Sequence, residues 1–164
     1  MINIFKITFI LGLIFTIDEG LLYDLNFRGY NAGESILSIK KDSTDTGPNY
    51  HLTSIIKTNK FLDRFYKIRD RVDVILNDED FSIIKVEKKL NQGGKKTNFT
   101  SIIDQENLTA SSNNKTISIP GKVFDPLGAI YYLRNQNIKL GDTFEFTTYD
   151  NDKLKNLFIV AKDI

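Results

Sequence analysis

Between Phe65 and Asn77 the chain alternates with a period of two residues. Tyr66, Ile68, Val72, Val74 and Leu76 fall on one side, and Lys67, Arg69, Arg71 and Asp73 on the other. A helix would scatter these two sets around its circumference, whereas a strand separates them onto opposite faces. The same alternation recurs over Leu22–Arg28, Ser35–Ile39, Tyr50–Lys57, Phe81–Leu90, Thr97–Ile103, Lys115–Ile119, Thr143–Tyr149 and Leu154–Val160. The intervening stretches Gly29–Gly33, Asn77–Asp80, Asn91–Gly94 and Ser111–Asn114 are rich in Gly, Asn, Asp and Ser, the residues of hairpin turns. The pattern predicts a mainly β protein, a curved antiparallel sheet or an open barrel-like meander.

One segment breaks the period. Asp125 is a candidate N-cap, and Pro126 follows at the first helical position, where a missing N–H costs nothing. Leu127, Ile130, Tyr131 and Arg134 then recur at helical spacing, and Gly141 lies past the exit. These residues predict one short helix near 126–136, laying Leu127, Ile130 and Tyr131 on the sheet. Each such side chain contributes about 1.5–3 kcal/mol when buried.

At 164 residues with a net charge of +1, the chain suits one domain and lacks the excess of Lys and Arg on which nucleic-acid binding depends. It has no cysteine, which removes disulfides, thiolate metal sites, Cys nucleophiles and lipidated Cys. The single histidine, His51, excludes two-histidine metal motifs and stands beside no recognisable acid or nucleophile in sequence. No cofactor or metal is implied. Met1–Lys6 is short and basic, and Ile7–Ile17 is an apolar run, the layout of a secretory leader but too short for a comfortable membrane span. Residues 1–20 are therefore read as a signal peptide or an uncleaved N-terminal anchor, and the alternative is a buried first strand. Residues 21–164 are read as a single β-rich domain.

Four blocks carry a family resemblance: Tyr23-Asp24-Leu25 with Ala32-Gly33-Glu34; Thr58-Asn59 and Phe61 running into Phe65–Arg71; Asp125–Arg134; and Leu140-Gly141-Asp142. In order and spacing they resemble the exported bacterial family catalogued as domain of unknown function 3108, over roughly Leu22 to Val160. The resemblance implies an antiparallel β-rich protein of the Gram-negative envelope, located in the periplasm, with no catalytic residues to carry over. Gly128 stands where the family more often has serine, which argues against a serine nucleophile there. The resemblance also implies further strands beyond Ile164, so that the domain ends early and leaves a sheet edge open.

Arg69-Asp70-Arg71 is the most suggestive triplet. Asp70 shares the apolar face of Ile68 and Val72, where a carboxylate must be paired or protonated. Either it belongs to a site that raises its pKa, or it pairs with a base such as Arg134 or Arg64. Lys57–Arg71 holds six bases against Asp63 and Asp70, and Lys85–Lys96 holds five lysines against Glu87. A hairpin of these strands would set Lys67, Arg69 and Arg71 beside Lys85 and Lys89. That stripe suits an anionic lipid or an acidic glycan, although a solvated face explains the same residues. Phe61, Phe65, Tyr66, Tyr131 and Tyr132 would either line an apolar cavity under the helix or fill the core. The candidate binding set is accordingly Tyr66, Lys67, Arg69, Asp70, Arg71, Asp125, Tyr131, Tyr132 and Arg134. The expected role is a non-catalytic module that binds lipid, glycan or an envelope protein. The rival is a hydrolase or lyase using Asp70, Glu34 or Asp125 as acid or base, which needs two carboxylates about 5–10 Å apart in one cleft.

Overall fold

The computed structural model describes residues 19–44 and 47–162. The leader expectation falls on residues 1–18, outside the described residues; Glu19 and Gly20, its last two positions, open the first strand. Eight strands follow in sequence order: β1 (Glu19–Phe27), β2 (Tyr30–Thr44), β3 (Gly47–Thr58), β4 (Arg69–Asn77), β5 (Ile83–Gln92), β6 (Lys95–Asp104), β7 (Thr109–Ser112) and β8 (Thr116–Ser118). Each pairs antiparallel with the next, so the sheet is an open meander with β1 and β8 at its edges. The helix α1 (Pro126–Arg134) comes next, then a two-stranded hairpin of β9 (Thr143–Asp150) and β10 (Lys153–Val160).

Three local expectations change. The alternation through Phe65–Ile68 does not make a strand; β4 starts at Arg69, after a short 3-10 turn at Leu62–Arg64. Thr58 accepts the Ile68 N–H on its hydroxyl, and Asp63 accepts from Arg69 at 2.5 Å and from the Thr58 hydroxyl at 2.5 Å. Those side-chain bonds fold the segment into a compact corner. The 29–33 turn shrinks to Arg28-Gly29, because β2 already starts at Tyr30. Strand β7 carries a single apolar residue, Ala110, and so shows no alternation, yet it pairs with both β6 and β8.

Alternation decides which face is inside. Ile39, Leu52, Val74, Leu76, Ile83, Val86, Phe99, Ile103 and Ala110 point to one side and form the core with Tyr131 and Tyr149. Gly33 is required by close approach: a Cβ there would lie 2.2 Å from the Lys57 carbonyl oxygen of β3.

The helix forms for the reasons its sequence suggests. The Asp125 carboxylate accepts the Leu127 N–H at 2.9 Å and Pro126 occupies the first turn. It lies between two layers. Tyr131 joins the main core, while Ala129 and Leu133 pack with Phe146 of the hairpin, beside Phe144, Leu157 and Ile159. Leu127 and Ile130 are both partly buried, but only Leu127 packs with Tyr131 on the main core, and Ile130 joins neither apolar cluster. A Cβ on Gly128 would come 3.2 Å from Leu76 and 3.3 Å from the Phe81 carbonyl, which makes this position tight for any larger residue. The backbone stitches the layers together: Ile83 donates to Val123, Phe124 to Thr147, and Tyr149 to Phe124.

Candidate functional site

In a meander, alternate turns lie at the same end of the sheet. The β1–β2 turn, the β3–β4 connection and the β5–β6 turn therefore share one end, and hydrogen bonds tie them. Asn59 donates its side-chain amide to the Asn31 carbonyl at 2.6 Å and its N–H to Ala32. Gly93 donates to the Lys67 carbonyl at 2.9 Å. Gly93 has φ +58, and a Cβ there would fall 2.6 Å from the Tyr66 ring, so the glycine seats that tyrosine.

This end is both aromatic and basic. Phe27, Tyr30, Phe61, Phe65 and Tyr66 are more than half exposed, Phe65 at 74% and Tyr30 at 79%. Phe61 and Phe65 meet edge to face at 5.6 Å, and Arg28 lies 5.4 Å above the Phe27 ring. Around them stand Arg28, Lys60, Arg64, Lys67, Lys95 and Lys96, all exposed and none in a salt bridge with a described residue. Of the nearby acids, Glu34 pairs with Lys57 and Asp63 with Arg69, while Asp24 is exposed and takes only the Asn31 amide at 3.5 Å. The Arg69 guanidinium, together with the Thr58 hydroxyl, holds the Asp63 carboxyl below the usual range.

Asp70 lies beneath this end, inside the sheet face as its position predicts, but no base among the described residues pairs with it. It accepts from the Asn91 N–H at 2.9 Å and from the Gln92 amide at 2.5 Å. The expected partner Arg134 instead binds Glu19 in a two-pronged pair at 2.6 and 2.9 Å, joining helix to edge strand and lowering the Glu19 pKa. Arg64 remains in solvent.

The expected basic stripe is replaced by a mixed one. Arg71 does lie opposite Lys89, but the next pair along is Asp73 opposite Glu87, and then Ile75 opposite Lys85. Arg71 grips Asp73 at 2.6 Å and Lys85 grips Glu87 at 2.6 Å, so the charges largely cancel within the face. His51, at 3.1 Å from Asp73, joins them around a shallow groove of about 300 Å³. Burial opposes ionisation of Asp73, but Arg71, Thr53 and His51 outweigh it and keep the group below its ordinary pKa.

The aromatic residues do not gather under the helix. Tyr131 and Tyr132 pack there, whereas Phe61, Phe65 and Tyr66 sit at the far end of β4, about 20 Å away at the strand's rise per residue. The space beneath α1 is occupied by Leu76, Phe81 and Tyr131. The Tyr131 hydroxyl is buried, and burial, reinforced by the Glu19 carboxylate nearby, pushes its pKa up.

Nor do the three candidate acids converge. Glu34 pairs with Lys57 at 3.2 Å on the outer face, opposite to Asp70. Asp125 is buried as the helix cap, and burial raises its pKa. Near it Lys88, itself almost buried, forms an ion pair with Asp150 and ties sheet to hairpin. Tyr149 lies 2.9 Å from Ser101 and donates to Asp152 at 2.9 Å, its pKa pushed up to about 12 by burial. Among the described residues no group of three or more His, Asp or Glu is arranged to hold a metal ion.

Of the nine residues proposed from sequence, the structure places Tyr66 and Lys67 at the aromatic end, Asp70 beneath it, and Asp125, Tyr131, Tyr132 and Arg134 around the helix. Arg69 and Arg71 are held in ion pairs. That set of nine left out Phe27, Arg28, Tyr30, Lys60, Phe61, Arg64, Phe65, Lys95 and Lys96. Of these, Phe61 and Phe65 were expected in a cavity or the core, and Lys60, Arg64, Lys95 and Lys96 figured as parts of basic runs. Their signal was available: counting turns by parity places all of them at one end.

An open antiparallel sheet covered on one face by a single helix and a hairpin defines the structural class. Within it, residues 22–162 match the family model described as protein of unknown function (DUF3108), and the chain belongs to that family. Comparison with curated proteins and with solved structures gave no match.

Proposed function

We propose that this chain is a non-catalytic binding module of the cell envelope. In this reading the apolar run Ile7–Ile17 exports it to the periplasm, and the aromatic end of the sheet meets the ligand. The observation that supports the reading is the contrast between the acids and that end. Every acid considered for catalysis is already held by a base, a backbone amide or a helix terminus, whereas five large aromatic rings and six bases that form no salt bridge with a described residue face solvent at one end. Exposed aromatic clusters of this kind mark interaction sites.

The test is native mass spectrometry of the protein recovered from its own envelope fraction, beside a Phe61→Ser/Phe65→Ser variant. The expected result is a bound lipid, glycan or protein that the variant loses. Equal occupancy in both forms, or a ligand mapped by hydrogen exchange to the Asp73 groove, would move the site elsewhere. Turnover of an envelope glycan abolished by Asp70→Asn would replace binding with catalysis.

A further inference from the structure

We infer that the aromatic end docks on the surface of an anionic phospholipid bilayer; this rests on the binding reading above and names its ligand. The argument begins with residue type. Phe61 and Phe65 carry no hydrogen-bonding group, so they gain nothing from a glycan's hydroxyls beyond stacking, but they partition into hydrocarbon. Tyr30 and Tyr66 present an apolar ring with a polar tip, which suits the boundary between headgroup and acyl chain. Arg64 and Lys67 surround these rings on long stems, placing charge at headgroup level while the rings enter.

The charge distribution fixes the orientation. The turns at the other end carry Asp78, Glu79 and Asp80 between β4 and β5, and Asp104 and Glu106 between β6 and β7. Lys41 and Lys122 pair with Asp78 and Asp80, leaving Glu79, Asp104 and Glu106 outside any salt bridge with a described residue. An anionic surface therefore attracts one end of the sheet and repels the other. The same argument disfavours two copies meeting through this end, because each would bring its exposed bases against those of the other. The chain needs no membrane-crossing element to dock: no described helix is long and apolar enough to cross, and surface docking requires only the tips.

The test is partitioning of the full chain onto vesicles of phosphatidylglycerol and phosphatidylcholine, against phosphatidylcholine alone, at low and high salt. Strong binding to the anionic vesicles is expected, with most of it lost in high salt. Arg64→Gln/Lys67→Gln should weaken partitioning about 25-fold, at about fivefold for each charge near the surface. Phe61→Ser/Phe65→Ser should weaken it by about tenfold or more. Lys153→Gln, on the exposed hairpin strand, should change nothing. All of these positions are exposed, so unchanged circular dichroism and melting separate docking from folding. Equal binding to both vesicle types, or variants that bind as wild type does, overturns the inference. Two further outcomes overturn lipid docking but leave the binding module standing. One is an acidic oligosaccharide that protects the 59–68 connection from hydrogen exchange when vesicles do not. The other is a salt-sensitive oligomer, lost in the phenylalanine variant, that joins the basic end of one copy to the acidic end of the next.

Discussion

At the β4–β5 turn, Asn77 accepts the backbone N–H groups of Glu79 and Asp80, and Asp80 accepts from Ser82 while pairing with Lys122 at 2.5 Å. Lys41 reaches Asp78 from β2 at 3.4 Å. At the β3–β4 connection, on the opposite end of the same strand, Lys60, Phe61, Arg64 and Phe65 project into solvent. Both ends spend short polar side chains on their own backbone, Asn59 and Thr58 accepting the Leu62 and Ile68 N–H groups at the second. The difference is that the second leaves its large apolar and basic side chains in solvent. A turn that satisfies itself is a folding element. A turn whose largest apolar side chains point outward gains nothing for folding from them, so their use lies elsewhere. The distinction separates stability from binding, and substitutions can test it.

The largest difference should appear between two phenylalanines. Phe81, at the acidic end, is 4% exposed and stacks on Tyr50 with ring centroids 4.8 Å apart. Phe81→Ala should cost about 3–5 kcal/mol, the usual range for emptying a packed aromatic site. Phe65, at the other end, is 74% exposed, and Phe65→Ala should change stability by no more than about 0.5 kcal/mol. Urea denaturation at constant slope reads both. A Phe65→Ala cost above about 1.5 kcal/mol would mean that this ring belongs to the fold, and the comparison would fail.

A smaller effect tests whether the aromatic end is held from beneath. Asp70 is buried and joins the start of β4 to the end of β5 through the Asn91 N–H and the Gln92 amide. Asp70→Ala leaves both donors short of an acceptor, at a cost of about 1–3 kcal/mol. Hydrogen exchange at Asn91 should accelerate beyond what the global loss explains, while amides of the β4–β5 turn follow the global change. Uniform acceleration would show that Asp70 supports the whole sheet and not this end in particular.

The strands were legible because one face of the sheet is buried and the other is not, so Val72, Val74 and Leu76 had to alternate with Arg71, Asp73 and Ile75. The helix was legible because Asp125 and Pro126 are local signals that need no tertiary context. The corner at 59–68 was not. Its alternation is real, but bonds between Thr58, Asp63 and Arg69 override it, and those partners are set by the fold. Strand β7 escaped notice because its inward position holds only Ala110. The Asp70 partner was unreadable for a different reason: every residue other than proline carries a backbone N–H, so no side-chain pattern marks the one at Asn91. The aromatic end was half visible, since Tyr66 and Lys67 stood out, yet the pieces at 27–30 and 95–96 join it only through the order of turns.

The smallest effect tests the acidic end through pH. Burial alone would raise the pKa of Asp80, but Lys122 and the Ser82 hydroxyl and N–H outweigh it and hold the group below its ordinary value of 3.8. A carboxyl whose folded pKa is depressed is ionised in the native state while the unfolded chain still takes up protons. Its contribution is therefore complete above about pH 4 and fades as the pH falls through 3.8 toward the folded value. With the partly exposed pair discounted for solvent screening, Asp80→Asn should cost about 0.5–1 kcal/mol at pH 7. The gap between variant and wild type should close on acidification, because a protonated Asp80 and the substituted amide then make nearly the same interactions. Denaturation midpoints measured at pH 7 and near pH 3 check this. A gap that persists unchanged at low pH would assign the effect to turn geometry, leaving the acidic end self-satisfied through its backbone and not through its charge.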